Sequence, residues 1–419
     1  MHVSDCLKES DTLNPQYPLS KILLNPQSLK NLSQKLMRIL QIHNKYIEKG
    51  GEDTVVANEY LLLQQNGHEV ELCTFDNHDL EGLSKFSLLS QTLFNRKSYR
   101  KVQAHIAAFQ PDVVHIHNIY YAASAAIFWA IKRKQIPAVM TIHNYRLGCI
   151  QGLLFRDNAV CQLCLDKKSS FYGLKYRCFK NSLLQSLQLT LVNKINQWTI
   201  RHLNPVKKYI FLADFTKNLL SPILYLKNTE GVLKPNYVND FGFTKPSERS
   251  DFYLFVGRLN EQKGVKELLA AFKTSGKKLE IIGSGPLEDL VKEAAAMHPN
   301  IQYLGYANNT YIIEKLKKSR ALIVPSLTYE GQPMTILEAF STGTPVLAAN
   351  TKNLDTLIAV GQNGFLFDAT QPESLSNALN VFENFSETDL YQTARQTYET
   401  QFSPASNYKQ LMAIYSSIL

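Results

Sequence analysis

The sequence predicts an α/β protein made of two doubly wound, Rossmann-like domains. Short apolar runs with the length of buried strands alternate with helical patterns along most of the chain. The alternation stops at Leu233–Val238, where Pro235 and polar neighbours break it, and then starts again. The 419 residues also exceed what one hydrophobic core usually organises. Strands that alternate with helices in this way are typical of parallel sheets.

The first domain is predicted over residues 37–236. Its strands are expected at Arg38–His43, Glu69–Phe75, Asp112–His117, Ala138–His143 and Lys208–Leu212. Its helices are expected at Glu52–Asn66, Ser90–Phe109, Tyr121–Lys134 and Ser182–Leu203. Residues 1–36 are polar and contain three prolines, so we expect a poorly ordered extension. Met37 is then a candidate start of the native chain.

The second domain is predicted over residues 237–395. Its strands are expected at Tyr253–Val256, Leu279–Ile282, Ile301–Leu304, Ala321–Val324, Pro345–Ala348 and Gly364–Phe367. Its helices are expected at Val265–Thr274, Pro286–Met297, Tyr311–Lys318, Pro333–Ser341 and Glu373–Phe385, with a last helical segment at Asp389–Ile418. Two such domains place a ligand-binding cleft between the carboxyl ends of their strands.

The composition is that of a soluble globular protein, with 45% hydrophobic and 19% charged residues. No apolar run approaches the roughly 20 residues of a membrane span. Asp5, Glu9 and Asp11 lie where a secretory signal would need a basic start and an apolar run. We therefore expect a cytoplasmic protein, in which cysteines are thiols or metal ligands rather than disulfides.

The net charge of +9 is concentrated in one segment. Residues 140–212 contain eleven lysines and arginines against two acids, which indicates an anionic partner such as a phospholipid surface, a polyphosphate or a nucleic acid. The predicted helix Ser182–Leu203 carries an apolar stripe. Its members are Leu184, Leu187, Leu191, Ile195 and Trp198. Two interpretations fit: the helix docks on an anionic membrane, or it packs in the first domain.

One loop between two apolar runs combines features of an anion site and a sugar site. Tyr329–Gln332 follows the predicted strand Ala321–Val324 and leads into a short helix that starts at Pro333. A helix N-terminus at a strand end offers free N–H groups to an anion. Glu330 and Glu338, with seven residues between them, add carboxylates that accept hydrogen bonds from hydroxyls. Alternatively, both glutamates face solvent.

A second pattern follows the strand that ends at Val256. Gly257 lets the backbone approach a ligand, while Arg258 and Lys263 flank the turn. Arginine grips a phosphate with two hydrogen bonds and lysine acts as a point charge. A solvated basic turn is the alternative. Gly283-Ser-Gly285 follows the next strand but lacks the third glycine and the acid of a dinucleotide site.

The stretch from Glu330 to Glu338 resembles the Glu-x7-Glu signature of the retaining glycosyltransferases of family 4, which have the GT-B fold. The likeness extends from about Met37 to the C-terminus and is most specific at Gly257–Gly264 and Glu330–Glu338. It implies a nucleoside-diphosphate sugar donor, with Glu330 on the sugar hydroxyls and Glu338 on the ribose. It further implies that Arg258 and Lys263 neutralise the departing diphosphate, and that residues 396–419 form a helix crossing back to the first domain.

The resemblance also assigns residues of the first domain. The strands ending in His43 and His117 and the inner His115 carry histidines expected to be structural. His143 instead resembles the family's histidine that contacts the donor sugar near the reacting carbon. Gly50-Gly51 resembles the glycine pair that lets the first loop approach the donor phosphates and acceptor, although a tight strand-to-helix turn is the simpler interpretation. The implied donor-binding residues are Gly50, Gly51, Gly257, Gly283, Gly331, Gln332, Pro333, Met334, Thr335 and Glu338.

Two details qualify the resemblance. Gly331-Gln332-Pro333 departs from the Gly-Phe-Gly or Gly-Phe-Pro of many relatives, which leaves the donor sugar open. The chain has no Asp-x-Asp motif for a catalytic metal. The resemblance implies that Arg258, Lys263 and the helix end of this chain take the place of Mg²⁺. No cofactor is therefore expected for catalysis.

Four cysteines lie in a basic insertion predicted over residues 144–181. Cys149, Cys161, Cys164 and Cys178 have the spacing C-x11-C-x2-C-x13-C, which suits a tetrahedral structural Zn²⁺ site. Four unrelated reduced thiols are the alternative. Neither Cys6 nor Cys73 belongs to such a pattern.

These observations predict a glycosyltransferase that moves a sugar to a glycan or lipid-linked acceptor in glycan, polysaccharide or cell-envelope biosynthesis. The expected location is cytoplasmic or peripheral at the inner face of the membrane, and no nucleic-acid partner is expected. A nucleotide-sugar epimerase of the same fold is one alternative. Another is a zinc-containing nucleic-acid-binding protein built on the basic insertion, which leaves the second domain unexplained.

Overall fold

The chain is described by a computed structural model that covers residues 36–47, 50–371, 373–385 and 387–419. The extension predicted for residues 1–36 lies outside the described residues, apart from Leu36. Strands are numbered in chain order. They are β1 Arg38–Lys45, β2 Glu69–Asp76, β3 Val113–Ile116, β4 Ala138–Ile142, β5 Phe155–Arg156, β6 Ala159–Val160, β7 Lys208–Phe211, β8 Gly231–Leu233, β9 Tyr253–Val256, β10 Leu279–Ile282, β11 Ile301–Tyr303, β12 Ala321–Val324, β13 Val346–Ala349 and β14 Gly364–Phe367.

Helices surround the strands on both faces of each sheet. They are α1 Gly51–Gln65, α2 Lys85–Leu93, α3 Arg96–Phe109, α4 Ala126–Lys134, α5 Leu163–Asp166, α6 Phe171–Lys175, α7 Leu183–Leu203, α8 Asp214–Leu224, α9 Val265–Ser275, α10 Glu288–Met297, α11 Asn309–Lys318, α12 Met334–Ser341, α13 Leu354–Leu357, α14 Ser374–Glu383, α15 Glu387–Thr397 and α16 Pro404–Ser416.

The strands form two six-stranded parallel sheets, which confirms the predicted fold class. The first sheet has the order β2-β1-β3-β4-β7-β8 and the second has β11-β10-β9-β12-β13-β14. Strand order therefore reverses between β1 and β3 in the first sheet and between β9 and β12 in the second. Ligands in such sheets bind at the carboxyl ends beside these reversals. The small antiparallel hairpin β5-β6 stands apart, inside the insertion.

Each sheet has its own hydrophobic core, and α16 packs on the first one. Tyr415 on α16 is fully buried in a cluster with Ile39, Leu63 and Val113 of the first domain. The Tyr408 hydroxyl lies 2.8 Å from Nε2 of His68. The C-terminal helix thus closes the far side of the first sheet by burying apolar surface.

Three of the predicted helices have different bounds in the structure, and α8 and α13 were not predicted. The helix expected over Ser90–Phe109 is two helices, because the Asn95 side chain accepts hydrogen bonds from two backbone N–H groups and starts α3 anew. The helix expected from Tyr121 begins only at Ala126. The terminal segment breaks before Pro404, where Ser403 caps α16. Polar caps decided the starts of α3 and α16, whereas α4 starts after Ala125 without a side-chain cap. Apolar periodicity predicted only the helical regions.

Candidate functional site

The two domains meet where both sheets present their carboxyl strand ends. A Cβ at Gly331 in the second domain would lie 2.8 Å from the carbonyl oxygen of His143 in the first. A Cβ at Gly51 would lie 3.6 Å from Cγ of Met334. The loop after β12 and the start of α12 therefore face the ends of β1 and β4 at close range.

Lys263 and Glu330 meet beside the strand reversal of the second sheet. The Lys263 ammonium lies 2.6 Å from Oε1 of Glu330, and the Ser326 hydroxyl donates to the same oxygen at 2.6 Å. The Asn260 side chain accepts from the backbone N–H of Lys263 and fixes the turn. Arg258 in the same turn is exposed. This places positive charge and a carboxylate at one strand end.

The start of α12 contributes backbone N–H groups to the same place. Pro333 is the N-cap residue and forms no side-chain cap, and Met334 and Thr335 begin the first turn. Gln332 points elsewhere, because its Oε1 accepts from the backbone N–H of Asn236 in the connection between domains at 2.6 Å. A helix end without a side-chain cap is suited to an anion.

Glu338 lies one turn further along α12 and is buried. Asn309 at the start of α11 donates from Nδ2 to Oε1 of Glu338 at 2.8 Å. Burial raises the pKa of Glu338, and the bond from Asn309 opposes the shift. The Oδ1 atom of Asn309 is buried without a hydrogen-bond partner among the described residues. The two side chains together offer acceptor oxygens to hydroxyl groups.

The glycine turns after β9 and β10 pack against each other. Gly283 has φ +150°, and a Cβ there would lie 1.8 Å from the carbonyl oxygen of Gly257. Only glycine fits this approach. The two turns therefore form a smooth backbone wall beside Arg258.

His143 is held by a buried chain of side chains in the first domain. Its Nε2 lies 3.1 Å from Nδ1 of His117, and Nε2 of His117 lies 3.3 Å from Oε1 of Glu59. Burial lowers the pKa of His117 to about 3 and that of His143 well below its usual value. Both imidazoles are therefore neutral at neutral pH, and His143 adds no positive charge to the cleft.

Glu59 on α1 is the centre of this buried network. The Lys234 ammonium lies 3.3 Å from its Oε2, and Nδ1 of His115 lies 2.8 Å from its Oε1. Burial opposes ionisation of Glu59, but His115 and Lys234 hold its pKa well below the usual value. The Asn407 side chain of α16 accepts from Lys234 at 3.2 Å. The network thus ties α1, β3, the interdomain connection and α16 together.

Among the described residues, Glu59, His115 and His117 are also the one group of three possible metal ligands whose ligand atoms all lie within 4.8 Å of one another. Lys234 lies within salt-bridge distance of Glu59, and the Thr141 hydroxyl lies 2.8 Å from Nε2 of His115. A buried ammonium beside the carboxylate opposes a second cation at the same place. We therefore interpret the group as a hydrogen-bonded support for His143.

Several polar residues at the cleft escaped sequence analysis. The Asn353 side chain donates to the carbonyl oxygen of Glu330 and to the Tyr145 hydroxyl, which joins the donor loop to the first domain. Glu52 at the start of α1 lies beside Asn144, and burial, with Asp53 adding, raises its pKa to about 8. Their partners are distant in sequence, so no local spacing revealed them.

The four cysteines of the insertion lie apart from these groups, around a cavity of about 20 Å³. Cys149 is buried and the other three are partly buried. None of these four is in a disulfide.

Comparison with known families shows which group of enzymes the chain belongs to. Residues 49–220 match the model of the family described as Glycosyltransferase Family 4, and residues 239–397 match the model described as Glycosyl transferases group 1. The chain belongs to this group of glycosyltransferases. It is an enzyme that transfers sugars, as the sequence resemblance implied. The relatives support neither the epimerase nor the nucleic-acid-binding alternative.

Individual relatives agree with this membership. An uncharacterised glycosyltransferase of Methanocaldococcus jannaschii is 25% identical over 337 residues, which cover 75% of this chain and 80% of the relative. The structure of sucrose-phosphate synthase from Thermosynechococcus elongatus superposes with a TM-score of 0.66 at 17% identity, over 91% of this chain and 98% of that one. HepE of Anabaena, solved with UDP, gives 0.62 at 17% identity over 91% and 100% of the chains. These structures share the glycosyltransferase fold.

Proposed function

We propose that this glycosyltransferase is a retaining enzyme that takes its sugar from a nucleoside-diphosphate donor bound between β9 and β12. The observation that carries the proposal is the Lys263–Glu330 pair, which lies at a strand reversal beside the uncapped start of α12. Charge and backbone N–H groups together suit a diphosphate, while carboxylates suit sugar hydroxyls. HepE, which shares the fold, has been solved with UDP and with UDP-glucose.

In this arrangement, Lys263 and Arg258 stabilise the negative charge that develops when the bond between sugar and diphosphate breaks. The acceptor oxygen forms the new bond to the same carbon and its proton passes to an oxygen of the departing diphosphate. Glu338 and Asn309 bind the ribose hydroxyls. His143 faces the sugar. Because it is neutral, it does not compete with Lys263 and Arg258 for the anionic diphosphate. No metal ion is required in this scheme.

The proposal is tested by measuring release of nucleoside diphosphate from a panel of UDP-, GDP- and ADP-sugars. We expect one donor to be turned over and Lys263→Ala to lower kcat by about 100- to 1000-fold, the usual loss of one charge-stabilising group. Lys266→Ala is the matched control, since Lys266 at the start of α9 is exposed and pairs with Glu261 in the turn before that helix. Equal rates for both variants would contradict the proposed role of Lys263. Product with the opposite anomeric configuration would refute retention.

A second proposal concerns the acceptor. We propose that the enzyme docks on anionic membrane through α7 and acts on a lipid-linked acceptor. Both ends of the apolar stripe of α7 face outward: Leu184 is 67% exposed and Trp198 is 52% exposed, whereas Ile195 packs against the core of the first domain. The opposite face is buried and mixes apolar residues such as Leu189 and Val192 with Asn193, which accepts from the Tyr120 hydroxyl and donates to the carbonyl oxygen of Arg146. No described helix has the length and apolarity to cross a membrane.

Basic residues flank this apolar face. Trp198 stacks on Trp129 of α4, whose last turn carries Lys132, Arg133 and Lys134. An exposed apolar stripe beside lysines and arginines matches an interfacial helix on anionic lipid.

Flotation with vesicles of phosphatidylcholine, with and without phosphatidylglycerol, tests the docking. We expect binding that requires the anionic lipid and is lost in Leu184→Ser/Trp198→Ser. Met297→Ser in the second domain is the control, because Met297 is also highly exposed. Flotation that ignores lipid charge, or that survives the double substitution, would refute the docking surface.

A further inference from the structure

We propose that Cys149, Cys161, Cys164 and Cys178 bind one Zn²⁺ ion, and that this ion holds the insertion against the donor loop. The four cysteines come from separate pieces of the insertion. Cys149 follows a turn after β4, Cys161 follows the β5-β6 hairpin, Cys164 lies on α5 and Cys178 follows α6. All four nevertheless line the same cavity of about 20 Å³.

The chemistry of the cavity favours zinc over water. A buried water needs two to four polar partners, whereas the remaining wall is mainly apolar. It consists of Ile150, Phe155, Leu163 and Gly173 together with the polar residues Gln151, Arg156 and Tyr172. Four thiolates are a preferred ligand set for structural Zn²⁺. No three of these sulfurs lie within 4.8 Å of one another. Binding at a Zn–S distance of about 2.3 Å would therefore draw them inward by side-chain rotation.

Groups around the sulfurs suit the charge of the loaded site. One Zn²⁺ with four thiolates carries two net negative charges. Arg156 lines the same cavity, and its guanidinium lies 3.9 Å from the ring centroid of Tyr176. A cation beside thiolate ligands offsets their negative charge.

The insertion needs an additional stabilising cross-link because its helices and strands are short. Strands β5 and β6 have two residues each, and α5 and α6 have four and five. Elements of this size bury little apolar surface, and metal binding supplies folding free energy in such segments.

The insertion also touches the loop that contains Glu330. The Gln162 side chain, between two of the cysteines, donates to the Tyr329 hydroxyl at 2.9 Å. In return, the Thr328 hydroxyl donates to the carbonyl oxygen of Leu153 at 2.8 Å. Zinc would fix Gln162 and Leu153 and so limit the motion of residues 326–332. This second part rests on the proposed donor site, whereas the zinc site itself does not.

The metal site is tested first by elemental analysis of the full chain purified without chelator. We expect one zinc per chain, and less than a tenth of that in Cys161→Ser/Cys164→Ser. Cys73→Ser is the matched control, since Cys73 is a buried thiol outside the cluster. Co²⁺ added to the zinc-free wild type should give the intense thiolate-to-cobalt absorption of a tetrahedral sulfur site. Substoichiometric zinc in the wild type, unchanged zinc in the double variant or oxidation of the four thiols to disulfides would overturn the proposal.

The link to the donor loop is tested by hydrogen exchange, which is independent of any donor assay. We expect residues 326–332 to exchange at least about tenfold faster in the zinc-free double variant. Gln162→Ala should retain zinc and still speed exchange in this loop. Unchanged exchange in both variants would refute the link and leave the donor proposal to its own experiment.

Discussion

The two strand reversals of this glycosyltransferase carry opposite kinds of chemistry. In the second sheet, the reversal between β9 and β12 presents a charged pair, Lys263 and Glu330, at the cleft. In the first sheet, the reversal between β1 and β3 leads to neutral imidazoles at His117 and His143. Its charges, Glu59 and Lys234, are paired below the surface. The strand reversal of the second sheet is therefore suited to a charged diphosphate. In the first sheet, buried charges support the neutral residues His117 and His143.

The largest expected effect tests the buried half of this contrast. Glu59→Gln would leave Lys234 as an uncompensated buried charge, so we expect the free energy of unfolding to fall by about 3–5 kcal/mol. Glu69→Gln is the control, because the Glu69–Arg38 pair is exposed and should contribute at most about 1 kcal/mol. Urea denaturation of both variants measures the difference. A loss below 1 kcal/mol in Glu59→Gln would show that the network is not a structural support.

A smaller effect is expected where the two halves touch. Gly331→Ala would place a Cβ 2.8 Å from the His143 carbonyl oxygen and push the donor loop away. A displacement of the donor loop by about 1 Å can reduce kcat/KM by up to about 100-fold. Gly50→Ala is the comparison, because a Cβ at Gly50 meets no atom within 4 Å. Any loss of activity in Gly50→Ala would therefore come from a hindered approach of the ligand and not from contact between the domains. Full activity in Gly331→Ala would refute the close approach.

Glu338 tests the charged site of the second domain. Glu338→Gln keeps the size of the side chain but weakens its bonds to ribose hydroxyls, so we expect the donor KM to rise by about 10- to 30-fold with little change in kcat. Glu288→Gln is the control, since Glu288 forms an exposed pair with Lys292. A fall in kcat with unchanged KM would contradict a binding role.

Per pH unit, the smallest effect is a pH dependence in the first domain. Burial, with Asp53 adding, raises the pKa of Glu52 to about 8, so the folded state keeps a proton that the unfolded state loses near pH 4.5. This contribution to stability is complete below pH 4.5 and is lost as pH rises to 8, by at most about 1.4 kcal/mol per pH unit. Glu52→Gln should remove that slope between pH 5 and 8 in denaturation experiments. An unchanged slope would show that Glu52 ionises normally.

Sequence reasoning predicted the parts of the site that lie close together in the chain. Glu330, Glu338 and the turn from Gly257 to Gly264 follow individual strands, so the position of each could be predicted from the local pattern. It did not predict the partners of Glu59 or the bonds of Asn353. Those contacts join residues that are far apart in sequence, so no spacing signals them.

The α7 helix shows the same limit. The stripe from Leu184 to Trp198 was predicted, but its direction was not. Asn193 forms a buried hydrogen bond on the inward face, where Leu189, Val192 and Ile200 are also buried, while Leu184 and Trp198 are exposed. The stripe alone did not show that a second apolar set, with the partner of Asn193, occupies the core, because a buried amide also needs a hydrogen-bond partner.

The sequence alone therefore determined the α/β architecture, the strand ends that carry polar residues and the family likeness, because periodicity, turns and motifs are local properties. The tertiary structure decided which strand ends meet, which histidines stay neutral and which face of α7 is exposed. Those outcomes depend on burial and on distances between remote residues, which only the folded chain defines.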